Sequence, residues 1–121
     1  FKVKASDRLM LVTDAMPSVG QTEKSFVLQD HRIRVVDGVC VNEDGTLAGS
    51  DLDMAQAVRN AQTMIGMSQA DALNLAGRNP ARFLGLDTAI GRIASGWRAD
   101  LVWLDDAGTV AGTWINGAFE R

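Results

Sequence analysis

The chain has 121 residues, 46% of them hydrophobic, which suits one globular domain and is too apolar for a disordered chain. A net charge of −3 offers no electrostatic footprint for nucleic acid, and no apolar run is long enough for a membrane helix. The single Cys40 excludes an internal disulfide and fits a reducing, cytoplasmic setting with a buried thiol.

Phe1 to Arg8 is polar and mixed in charge and reads as a linker or helix end. Leu9-Met10-Leu11-Val12 follows, four apolar residues in succession, the pattern of a strand buried on both faces in a parallel sheet. Thr13 and Asp14 then place a lone carboxylate at the strand's C-terminal end, where barrels and open α/β folds hold ligands and chemistry. Asp14 is therefore the candidate catalytic residue; its competing role is a cap for the next loop. Ala15 to Gly20, broken by Pro17 and Gly20, is that loop and a candidate active-site wall. A parallel strand needs parallel neighbours, and the rest of the chain offers few. With Phe rather than Met at its start, the chain is expected to be the C-terminal part of a larger protein, cut just before its last barrel strand.

Ser25–Leu28, Arg32–Val36 and Val39–Val41 read as a small antiparallel meander, turning at Gln29-Asp30-His31 and Asp37-Gly38. Ile33 and Val35 alternate with Arg32 and Arg34, as in a half-exposed strand. Asn42 to Gly45 turns again, and Gly45 to Ser50 reads as a loop in which glycine permits close approach to a ligand. Plain connection is the competing reading there.

Ser50 is the predicted N-cap of a helix with Asp53 at its third position. Met54, Val58, Ala61 and Ile65 form its apolar stripe, with Ala57 and Met64 beside it, and Gly66 ends it. Asp51 and Asp53 are read as first-turn caps rather than as a carboxylate pair. Ser68 caps a second helix with Asp71 three residues on; Ala72, Leu73, Leu75 and Ala76 are its core positions and Gly77 its stop. Asn79 and Pro80 open a third, short helix anchored by Phe83 and Leu84. Leu101–Leu104 and Thr109–Ile115 are strands, and Asn116-Gly117 signals a hairpin returning at Phe119. Trp97, Trp103 and Trp114 are expected to pack a sandwich core or domain interface; sugar stacking is the rival role.

His31 is the only histidine, and one His with one Cys cannot complete a zinc site. No metal is expected to bind this chain alone. No credible Ser-His-Asp set and no phosphate-cradling glycine loop is present. The residues by themselves give one well-placed carboxylate, a glycine-rich loop and an accessory sheet.

Ile90-Gly91-Arg92-Ile93-Ala94-Ser95-Gly96-Trp97-Arg98-Ala99-Asp100-Leu101-Val102 resembles the GxIxxGxxADLV signature of the amidohydrolase superfamily. Leu11 to Ala15, followed by Gly45 to Ser50, Met54 and Ala57 to Asn60, resembles the N-acetylglucosamine-6-phosphate deacetylase family within it. The similarity covers nearly the whole chain. It implies an α/β fold: the C-terminal fragment of a metal-dependent (β/α)8 (TIM) barrel hydrolase plus part of a small β-sandwich domain. Residues 1–24 would be the last barrel strand and active-site loop, and 25–45 a sandwich meander. Residues 46–88 would be a loop and helices packing on the barrel, and 89–121 the C-terminal sandwich strands.

The resemblance also implies roles. Asp14 matches the catalytic aspartate that takes a proton from a metal-activated water and later gives it to the leaving amine. Leu47, Ala48 and Gly49 match a loop that contacts the sugar phosphate; Ala48 stands where relatives often have Ser. A divalent metal, zinc or iron, is implied for the intact enzyme, with its ligands outside this sequence. The implied substrate is an amino-sugar phosphate, with no nucleic-acid or membrane partner, and the implied assembly is a cytoplasmic homodimer. The alternatives are another amidohydrolase, dihydroorotase- or deaminase-like, and a non-catalytic structural module.

Overall fold

A computed structural model describes residues 5–120, so residues 1–4 of the predicted linker lie outside the described residues. The chain divides into two units: Val12–Ala57, and the described residues through Leu11 together with those from Val58 onward.

The unit Val12–Ala57 is built on a four-stranded antiparallel sheet, β1 (Ser25–Leu28), β2 (His31–Val36), β3 (Val39–Val41) and β4 (Leu47–Ser50), in sequential order. Ile33 is buried and Val35 half-buried on β2 while Arg32 and Arg34 face solvent, as the alternation predicts. Asp37 and Gly38 take φ of 51° and 80°, the mirror-image turn whose twist matches the strands it joins. Gln29 and Asp30 do the same at 49° and 66°. The first hairpin therefore turns on two residues, and His31, predicted in the turn, pairs with Leu28 as the first residue of β2.

The predicted Gly45–Ser50 loop is corrected to a strand over Leu47–Ser50, which pairs with β3 at Val41↔Leu47 and Val39↔Ser50 across a register shift. Its small residues carry little intrinsic strand preference; the open edge of β3 supplies the hydrogen bonds that extend it.

The α1 helix (Met54–Ile65) begins in this unit, and its cap is Asp53 rather than the predicted Ser50. Asp53 Oδ1 accepts from the Gln56 amide at 2.7 Å. The Ser50 hydroxyl is engaged elsewhere, as described below. The stripe is buried at Ala57, Val58 and Ala61, whereas Met54, Met64 and Ile65 are exposed.

In the other unit Val58, Ala61, Met67, Ala72 and Leu75 form the core, with Leu9, Leu11 and Ala76 packed against it. The α2 helix (Gln69–Ala76) is capped as predicted: Ser68 Oγ accepts from the Asp71 amide at 3.1 Å and donates to Asp71 Oδ2 at 2.7 Å. In α3 (Arg78–Phe83) the cap position is Gly77, not Asn79. Asn79 is buried, and its Nδ2 donates to the carbonyls of Ser6 and Leu9, both at 2.7 Å. Phe83 and Leu84, the predicted anchors, are 76% and 66% exposed.

Leu9–Val12, expected as a strand buried on both faces, pairs with no strand among the described residues. Leu9 is extended (φ −114°, ψ 152°), but no ladder forms along the segment. Leu9 and Leu11 pack on the helices, and the Leu11 amide donates to Leu75 O at 3.0 Å, while Met10 and Val12 are exposed. One face is covered, not two, because no parallel strand lies beside it among the described residues. The described residues form a small α/β fragment with two antiparallel sheets, consistent with part of a larger domain.

The second sheet, in the same unit as the helices, is antiparallel in the order β5 (Leu101–Leu104), β6 (Val110–Ile115), β7 (Ala118–Glu120). Trp114 and Phe119 pair across β6 and β7 with ring centroids 5.1 Å apart. Their rings lie over Gly112, where a Cβ would meet Phe119 Cε2 at 2.9 Å. Trp103 is exposed and Trp97 lies under the Arg92 guanidinium at 5.0 Å. The Ile90–Asp100 segment braces this sheet: Asp100 Oδ1 accepts from the Asn116 amide at 2.8 Å, and Ala99 O accepts from the Gly117 amide at 2.9 Å. Among the described residues no helix is long and apolar enough to cross a membrane.

Candidate functional site

Asp14 lies in an irregular loop of the unit Val12–Ala57, at φ 52°, a left-handed conformation that Asp tolerates better than most residues. Its side chain is exposed and has no hydrogen-bond partner among the described residues. The backbone around it is tied to the end of β4. The Ser50 amide donates to Asp14 O at 2.9 Å, the Met16 amide donates to Ser50 O at 2.9 Å, and the Ser50 hydroxyl donates to Thr13 O at 2.5 Å. Ala15 and Ser50 form an isolated parallel bridge. A single residue of β4 thus grips three positions of the loop.

This places Asp14 beside the other candidate residues. A Cβ added to Gly49, itself at φ 102°, would lie 3.1 Å from Asp14 O and 2.5 Å from Met16 Cγ, so only glycine fits there. Ala48 and Gly49 are half-buried, and Leu47, one strand position further back, is 68% exposed. The structure brings Asp14 to Gly49 and carries Leu47 and Ala48 on the same strand.

Sequence reading missed the residues that hold this arrangement. The local pattern makes Ser50 a helix cap and Asp51 a first-turn acid, whereas Asp51 Oδ2 accepts from Lys24 Nζ at 2.7 Å. Lys24 Nζ also donates to Ser18 O at 3.0 Å. Lys24 beside Asp51 holds that carboxyl below the usual carboxylate value, against the burial that would raise it. Nothing local in the sequence marks Lys24 as the partner of a residue 27 positions away.

Ser18 and Cys40 are buried, hydroxyl against thiol at 3.7 Å, and His31 is exposed on β2. No three His, Cys, Asp or Glu side chains gather among the described residues. The residues present therefore do not make a metal-holding set. They offer an exposed carboxylate, able to take and return a proton, in a loop that packs closely on the strand backbone at Gly49.

The amidohydrolase family profile matches residues 3–119. The chain is 42% identical over 118 residues to an N-acetylgalactosamine-6-phosphate deacetylase of Shewanella sp. (strain ANA-3), covering 97% of this chain and 29% of that relative. It is similar to the crystal structure of N-acetylglucosamine-6-phosphate deacetylase from Pasteurella multocida, with a TM-score of 0.90 and 34% identity, over 98% of this chain and 31% of that one. The corresponding enzyme structure from Thermotoga maritima matches with a TM-score of 0.82 and 42% identity, over 98% of this chain and 32% of that one. The chain thus spans about a third of the length of these relatives.

Proposed function

The chain belongs to the amidohydrolase family, and on that premise we propose that it serves in a deacetylase that hydrolyses N-acetylglucosamine 6-phosphate to glucosamine 6-phosphate and acetate. The observation that carries this reading is the exposed Asp14, whose main-chain carbonyl is held beside Gly49 by the Ser50 amide.

Asp14 is the general base and then the general acid. Its carboxylate takes a proton from the water that attacks the acetamide carbonyl and gives it to the departing amine nitrogen. Leu47, Ala48 and Gly49 contact the sugar phosphate. Ala48 has no hydroxyl, so its contact runs through the backbone. The family is generally dependent on a divalent metal, which supplies Lewis-acid polarisation and a more acidic water. The described residues hold no ligand set for it, and zinc or iron as its identity belongs to this proposal.

The same reading assigns the Leu9–Val12 segment to the last strand of a barrel. Leu9 and Leu11 on the helices, with Met10 and Val12 bare, are what such a strand presents when its inner face is uncovered. The meander and the C-terminal sheet belong to the sandwich, the helices to the barrel's outer layer, and the assembly is a homodimer acting in the cytoplasm. The 42% identity to an N-acetylgalactosamine-6-phosphate deacetylase supports the epimeric sugar as a second reading.

The test is acetate release by the intact, metal-loaded enzyme from both N-acetylhexosamine 6-phosphates and from a cyclic amide. Turnover of the gluco sugar is expected. Faster turnover of the galacto sugar moves the assignment to that epimer, and turnover of the cyclic amide alone overturns it in favour of a dihydroorotase-like relative.

A further inference from the structure

We infer that Lys24 and Asp51 are positioning residues for Asp14, their ion pair closing the loop that sets the direction of its carboxylate. This rests on the reading of Asp14 as the proton-transfer group.

The Asp14 carboxylate has no hydrogen-bond partner of its own among the described residues, so no side-chain contact aims it. Its direction follows from the backbone alone, at a φ of 52° that depends on the surrounding loop being held. At one end Ser50 bonds Thr13, Asp14 and Met16. The loop then turns, with the Val19 amide donating to Met16 O at 3.0 Å and the Gln21 amide to Ser18 O at 3.1 Å. At the other end Lys24 Nζ bridges Ser18 O, at 3.0 Å, and Asp51 Oδ2, at 2.7 Å.

Asp51 is the residue after Ser50, so both ends of the loop are fastened to one dipeptide. Asp51 is in turn fixed by its amide, which donates to Gly38 O at 3.0 Å in the β2–β3 turn. Its other carboxylate oxygen, Oδ1, is buried, and the Ser18 side chain joins Lys24 in favouring the ionised form. The acid is thus tied to the loop at both Lys24 and Ser18, which holds the loop's geometry. The Lys24 side chain is 45% exposed and that of Asp51 14%, so water screens the pair from the lysine side and limits what it adds to global stability. Catalysis is more sensitive: a displacement of about 1 Å at a reacting group costs about a hundredfold in rate.

The test is steady-state kinetics and thermal melting of the intact enzyme carrying Lys24→Met, Asp51→Asn, the double substitution, Lys24→Arg and Asp14→Asn. Lys24→Met and Asp51→Asn are each expected to lower kcat about tenfold with KM within about twofold and melting within a few degrees. The double variant should be no worse than either single one, because each breaks the same bridge. Lys24→Arg, which keeps charge and donors, should retain most of the turnover. A near-normal kcat in Lys24→Met beside an inactive Asp14→Asn overturns this inference alone. Losses that multiply in the double variant also overturn it. Full activity in Asp14→Asn removes the reading of Asp14 and this inference with it. Should Asp51→Asn fail to fold, Lys24→Met decides, since its side chain is half-exposed.

Discussion

Met16 Cγ stands 2.5 Å, and Met16 Sδ 2.9 Å, from the point where a Cβ on Gly49 would sit. The thioether occupies the space that any other residue at position 49 would need. The Met16 side chain of the loop after Asp14 thereby packs directly against the backbone at the end of β4. Gly49→Ala would have to move Met16, press on Asp14 O and place a Cβ-bearing residue at φ 102°. The expected destabilisation is about 1–3 kcal/mol, read from urea unfolding of the intact enzyme. Combining it with Met16→Ala should relieve the contact but not the backbone strain, so only part of the loss returns. A neutral Gly49→Ala would show that the loop yields freely.

Replacing Asp14 by Asn keeps the shape and the tolerance of left-handed backbone while removing the proton-accepting oxygen. In the intact enzyme we expect folding to be unchanged and kcat to fall by at least about a hundredfold. Turnover and circular dichroism on the same preparation separate the two effects. Retained turnover would take Asp14 out of the mechanism.

Asn79 spans separations of 73 and 70 residues to reach Ser6 O and Leu9 O. Asn79→Ala removes the donor from two part-buried hydrogen bonds, and is expected to cost about 1–2 kcal/mol. Asn79→Asp should cost more, since a carboxylate would face two acceptors. Denaturant midpoints for both variants check the order, which would reverse if the site were open to water.

Asp100 titrates below its ordinary value of 3.8, because it accepts from the Asn116 amide and, secondarily, pairs with Arg98. A carboxyl with a depressed folded pKa adds stability that is fully present above the unfolded pKa of about 3.9 and is lost as pH falls through the folded value. Melting of the intact enzyme should therefore be insensitive to this group from neutral pH down to about 4 and should fall below that. Asp100→Asn is expected to lower stability at neutral pH and flatten the acid limb. The same acid limb in both proteins would show that Asp100 does not set it.

How much the sequence settled follows the range of each interaction. Ser25–Leu28, Val39–Val41 and Leu101–Leu104 are strands with the predicted limits, and Asp37-Gly38 and Asn116-Gly117 are turns with positive φ. Ser68 caps α2 through a residue three positions on. These depend on neighbours a few residues away, so the order of residues contains them. The proposal for Asp14 draws on the same local range, a carboxylate just after an apolar run.

Tertiary structure decided the rest. Leu47–Ser50 is a strand because β3 lends it an edge; Ser50 ends that strand, its Oγ donating to Thr13 O, 37 positions away, and accepting from the Leu52 amide, so the helix starts later with Asp53 as its cap. Leu9–Val12 stays unpaired because no strand lies beside it among the described residues. The grip on Asp14 joins parts of the chain that fold together only in three dimensions, and a polar atom's choice among distant partners has no local periodicity from which to be read.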